Sequence, residues 1–176
     1  MDASTLTEVE RLCGVLYENH DPANFQAAQE QLLELQSDPN FIPQCQHILD
    51  NSSNPYALVL ASSSLEILVT KFWTNFENDN KLEMRNYILN YLANGTGGTV
   101  NLEDYVVGYL AKLACRITKL GWFDSMDLRD IIAEADKFLK NGAQHHYVGL
   151  KILGALIGEG THHTLLLLTI LLSSRD

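Results

Sequence analysis

The run NPYALVLASSSLEILVTKFW, residues 54–73, decides the fold. Asn54 offers a capping side chain, and Pro55 sits at the first helical position, where a missing N–H costs nothing. From Tyr56 to Trp73 the run is apolar on most sides, through Val59, Leu60, Leu65, Ile67, Leu68 and Phe72. A helix of that kind has to be covered on both flanks. It therefore reads as an inner member of a helical stack.

The same devices recur on either side. Thr5-x-x-Glu8 has the form of a capping box, and Leu6, Val9, Cys13 and Leu16 carry a first apolar stripe to about Glu18. Asp21-Pro22 opens a second helix with Phe25, Ala28, Leu32 and Leu35. A short third runs from Asn40 through Phe41, Ile42, Cys45, Ile48 and Leu49, with Pro43 in its first turn, and ends at Asn51-Ser52-Ser53. Downstream, Leu82, Tyr87, Ile88, Tyr91 and Leu92 form a narrower stripe that Gly95 is placed to stop. Asn101, Glu103 and Asp104 suit the start of a sixth helix, with Val106, Leu110, Ala114, Ile117 and Leu120 on its stripe and Gly121 at its close. Asp124 is expected to open a seventh through Leu128, Ile131, Ala135, Phe138 and Leu139, ended by Gly142. An eighth holds Tyr147, Leu150, Leu153 and Ile157 before Gly158 and Gly160, and strand signals are absent throughout.

The expected fold is all-α: a right-handed α-solenoid of about four HEAT- or armadillo-type antiparallel helix pairs. The pairs fall at about 4–37, 40–74, 79–121 and 124–158, followed by a divergent apolar tail at 159–176. A four-helix-bundle or globin-like packing of the same helices is the competing arrangement.

Composition bounds the function. With 176 residues, 46% of them hydrophobic, the chain can build a sizeable core. A formal net charge of −10 argues against a nucleic-acid backbone or an anionic membrane as partner, because both would repel it. Residues 1–50 carry nine acids against the single base Arg11, either a solvated face or a patch that faces a basic partner. Cys13, Cys45 and Cys115 lie far apart inside apolar helical patterns and read as buried reduced thiols. No basic-then-apolar leader opens the sequence. Its longest apolar stretch, Leu165 to Leu172, is far shorter than the ~20 residues of a membrane span, so a soluble intracellular protein is expected. On that expectation the triplets Asn51-Ser52-Ser53 and Asn94-Gly95-Thr96 are not glycosylation sites.

Residues that could carry chemistry are sparse. The loop from Gly95 to Thr99 is followed by no Lys-Ser or Lys-Thr and preceded by no strand, so it lacks the parts of a phosphate cradle. Adjacent histidines, His145-His146 and His162-His163, diverge on a helix and have no supporting ligand at a useful spacing. Ser62, Ser63 and Ser64 stand mid-helix with no base or orienting group, and are better suited to close packing. Tyr87, Tyr91, Tyr105 and Trp73 fall at helical spacing without the basic interleaving that nucleic-acid backbone contacts require, and read as core. No catalytic, cofactor or metal site is expected.

Four runs carry a resemblance: QCQHILDNSSNPY at 44–56, LASSSL at 60–65, RNYILNYLA at 85–93 and RITKLGWFD at 116–124. Together they resemble the N-terminal domain of importin-β-type nuclear transport receptors, in the exportin branch, over residues 6 to 157. The resemblance implies a HEAT solenoid of the nucleus and cytoplasm, active at the nuclear pore complex. Its N-terminal repeats would grip the small GTPase Ran in its GTP form. Protein cargo and nuclear pore proteins would be further partners, and no catalysis is implied. By the same resemblance Ran lies against the helices 56–73 and 101–120, making Ser63, Ile67, Lys71, Asp104, Lys112 and Arg116 the candidate contacts. The sequence departs from the pattern at Ile67, beside Glu66, where a lysine is expected on the inner face. It departs again in size and from Thr161 onward, so it reads as a truncated or alternatively terminated product whose Leu165–Leu172 run either caps the stack or stays exposed. The alternative is a helical scaffold fragment with no independent Ran binding.

Overall fold

The computed structural model describes residues 3–18, 22–97 and 102–159. Every regular element among them is helical: α1 (Ala3–Glu18), α2 (Pro22–Leu35), α3 (Ile42–Asn51), α4 (Pro55–Phe72), α5 (Asn78–Gly97), α6 (Asp104–Leu120), α7 (Ile131–Lys140) and α8 (Ala143–Glu159). Short 3-10 turns at Pro39–Phe41, Trp73–Asn75 and Met126–Arg129 join some of them. The chain divides into two compact units. The first holds residues 1–77 with 102–109, the second 78–101 with 110–176.

In the first unit α1 packs on α2, α3 on α4, and α1 on α4. Helix ends follow the local chemistry. The Asp38 carboxylate accepts the Asn40 N–H at 2.9 Å to start the turn before α3, and Asn54 Oδ1 accepts the Tyr56 N–H at 2.9 Å to start α4. Pro43 lies in the first turn of α3, and the Ser52 N–H closes that helix on the Ile48 carbonyl at 2.8 Å. α4 is the centre of this unit, with Ala57, Leu58, Leu60, Ala61, Leu65, Leu68 and Val69 buried. Pro55–Asn75 is long and apolar enough to cross a membrane by composition, but most of it is buried in the protein, as in a core helix. Its serines are all engaged: Ser62 Oγ donates to the Leu58 carbonyl at 2.7 Å, Ser63 Oγ to the Leu60 carbonyl at 3.1 Å, and buried Ser64 Oγ accepts from Gln36 Nε2 at 3.0 Å.

In the second unit α7 packs on α8, and α8 also packs on α5. Gly149 permits the close approach of α7 and α8, because a Cβ there would lie 2.9 Å from Leu139 Cγ and 3.0 Å from the Ala135 carbonyl oxygen. Gly142, at φ +99°, makes the turn between them. Two ion pairs secure α5. Buried Lys81 reaches Asp124 at 2.7 Å, and the buried Arg85 guanidinium donates to Asp130.

The all-α reading holds, and four local expectations do not. Asp124 does not open α7. Its carboxylate pairs with Lys81, while Ser125 Oγ accepts the Asp127 N–H to start a 3-10 turn, and α7 begins only at Ile131. Gly95 does not stop α5, which continues to Gly97. Of the expected α8 stripe, Tyr147, Leu150 and Ile157 are exposed and Leu153 is half-buried, while Val148, Ile152 and Leu156 are the residues that enter the core. Thr5 lies within α1 rather than before it. Asp21, Thr99, His162-His163 and the run 165–172 lie outside the described residues.

Candidate functional site

In the first unit, burial of α4 leaves one narrow stripe open. Tyr56, Ser63, Ile67 and Lys71 follow at intervals of seven, four and four residues, the spacing of a single helical face. Ser63 is half-buried and hydrogen-bonded to its own helix. Ile67 is 45% exposed, so the position where a lysine was expected does point outward and presents an aliphatic group. Lys71 is exposed, its ammonium 5.3 Å from the centre of the Phe72 ring. Three of the six candidate residues, Ser63, Ile67 and Lys71, thus share a face.

Asp104 is exposed at the first turn of α6, also in the first unit, where a carboxylate complements the helix dipole. Lys112 and Arg116 belong to the second unit, four residues apart on α6, Lys112 exposed and Arg116 half-buried. Arg116 is committed inside the protein: its guanidinium meets the Glu159 carboxylate at 3.2 Å. Lys119 joins them, its Nζ donating to the Glu159 backbone carbonyl at 2.7 Å and lying 3.8 Å from the carboxylate. These bonds tie the last turn of α6 to the end of α8, 40 residues away.

Sequence reasoning placed Tyr87, Tyr91, Tyr105 and Trp73 in the core; Tyr87, Tyr91 and Trp73 are half-buried, while Tyr105 is exposed and is joined at the surface by tyrosines that the sequence did not single out. Tyr17 on α1, Tyr56 on α4, and Tyr105 and Tyr109 on α6 are each between 38% and 48% exposed, all within the first unit. Tyr17 and Tyr56 stack with ring centres 4.7 Å apart and planes at 12°. Burial pushes the Tyr17 phenol up, with Cys13, Tyr109 and Tyr56 adding to the shift. Burial does the same to Tyr105, with Glu103 and Tyr56 adding. The signal that could have found this surface is the spacing of Tyr105 and Tyr109, one turn apart and off the Val106–Leu110–Ala114 stripe.

The remaining candidates for chemistry are occupied by packing. Cys13, Cys45 and Cys115 are free and fully buried. Burial raises all three thiols, those of Cys13 and Cys115 to about 12. His145 Nε2 lies 3.2 Å from the Ala93 carbonyl, and His146 Nδ1 lies 3.1 Å from that of Leu139. Among the described residues no three His, Cys, Asp or Glu side chains are grouped to hold a metal ion.

Comparison with known proteins places this architecture. Residues 28–94 match the importin-beta N-terminal domain. Over 159 residues, 88% of the chain, it is 32% identical to exportin-7-B of Xenopus laevis and 35% identical to Ran-binding protein 17 of Mus musculus. It is 33% identical over 158 residues to Ran-binding protein 16 of Drosophila melanogaster. The chain spans about 14% of the length of each of these relatives.

Proposed function

Since the chain carries an importin-beta N-terminal domain and is similar along most of its length to exportin-7, we propose that it is the N-terminal part of a nuclear transport receptor and binds Ran in the GTP form. The observation that carries this reading is the similarity, over 88% of the chain, to relatives named for Ran binding. Ser63, Ile67 and Lys71 on α4, with Asp104, Lys112 and Arg116 on α6, are the contacts assigned to the GTPase. Its role is non-catalytic, and it moves between nucleus and cytoplasm through the pore. Protein cargo and nuclear pore proteins are the further partners that this reading assigns to the receptor.

Two observations favour a second reading, a helical scaffold piece with no Ran affinity of its own. Ile67 supplies no charge-assisted donor, and Arg116 is already held by Glu159. Calorimetric titration with Ran loaded with GTP or GDP separates the two. The transport reading expects heat with the GTP form, weakened about tenfold in Lys71→Ala. Equal or absent binding to both forms establishes the scaffold reading instead.

A further inference from the structure

The first unit concentrates the chain's charge. Its residues include thirteen Asp and Glu but only two Lys and Arg, while the second unit has nine against ten. Both bases of the first unit are engaged within it. Arg11 donates to the Glu8 carboxylate at 2.6 and 2.9 Å, and Lys71 lies over the Phe72 ring. The four half-exposed tyrosines therefore sit in an acidic unit with only two cations of its own. An aromatic face is negative at its centre and attracts a cation, most effectively the flat guanidinium of arginine, which also stacks. Exposed tyrosines are moreover common anchors of protein interfaces, since they bring large contact area at little entropic cost.

From this we infer that Tyr17, Tyr56, Tyr105 and Tyr109 form a docking surface for an arginine-bearing protein segment, its guanidinium groups over the rings and their charge balanced by Glu103. The stacked pair Tyr17–Tyr56 supplies one rigid platform. Tyr105 and Tyr109, four residues apart on the same exposed side of α6, supply a second. Glu103 precedes Tyr105 by two residues at the start of α6, and the carboxylate and both platforms belong to the first unit. The second unit shows the same chemistry within the chain, where Lys151 lies 5.2 Å from the Tyr147 ring centre and Arg129 lies 5.7 Å from that of Trp122.

The test is fluorescence anisotropy of the whole chain with a dye-tagged peptide of alternating arginine and glycine. A glutamine–glycine peptide and a polyproline peptide serve as competitors for the assignment. Binding of the arginine peptide alone is expected, weakened about threefold to fivefold by Tyr56→Ala, by Tyr105→Ala and by Glu103→Gln, and unchanged by Tyr147→Ala. Thermal midpoints of the variants, measured alongside, separate lost binding from lost folding, and half-exposed Tyr105 is the decisive position. Equal affinity for the glutamine or polyproline peptide, or variants that bind like the parent, overturns the inference.

Discussion

At the scale of single residues, the buried thiols give the clearest consequence of folding. Cys115 is fully buried, its Sγ 3.4 Å from the Ile152 carbonyl, and its ionisation is pushed up to about 12. In the unfolded chain a thiol ionises near 8.5. The raised folded value means that its contribution is intact below that pH. It is then lost as pH rises toward 12, because only the unfolded state releases the proton. At pH 9.5 one such thiol costs about 1.4 kcal/mol of stability. Urea midpoints at pH 7.5 and 9.5 should therefore fall less in Cys115→Ala than in the parent chain. Equal declines would show that the thiol is accessible to water in the folded state. The burial of these cysteines was legible from their place in apolar stripes. The fate of Arg116 was not, because its partner Glu159 lies 43 residues away and no local pattern connects them.

Whole elements were legible where a helix has one apolar stripe and ambiguous where it has two. α6 buries Val106, Leu110, Ala114 and Ile117, the stripe that its spacing predicted. α8 offers Val148, Ile152 and Leu156 as well as Tyr147, Leu150 and Ile157, and periodicity cannot choose between them. Packing chooses, through Gly149, which stands beside Val148 on the buried side and lets α7 come close. Added volume there meets a branched side-chain carbon and a backbone oxygen, and overpacking of that kind costs roughly 1–3 kcal/mol. Against it stands the gain of about 1 kcal/mol from replacing a helical glycine by alanine. Gly149→Ala should therefore destabilise by about 1 kcal/mol. Gly154→Ala, where nothing lies within 4 Å of the added carbon, should stabilise by up to about 1 kcal/mol. Chemical denaturation of the pair checks both signs, and a Gly149→Ala as stable as Gly154→Ala would remove the close approach from the account of α7 and α8.

Across the whole molecule, the net charge of −10 conceals an unequal division that the sequence foreshadowed in its first fifty residues. The first unit has only two cations to offset its thirteen carboxylates, so like charges repel within it and added salt relieves the strain. In the second unit charges are matched and several are paired, Lys137 with Glu134 at 2.6 Å and Lys140 with Asp136 at 2.5 Å. Exposed pairs of that kind are worth little and weaken as salt screens them. The two units should therefore answer salt with opposite sign. Amide hydrogen exchange in α3 and α4 should slow between low salt and about 0.3 M sodium chloride, a concentration at which screening reaches well within 10 Å. Exchange in α7 and α8 should stay constant or quicken slightly. A uniform response in all four helices would mean that the acidic excess of the first unit is fully solvated and exerts no repulsion. In that case the arginine-bearing partner would be held by the tyrosine faces more than by the field around them.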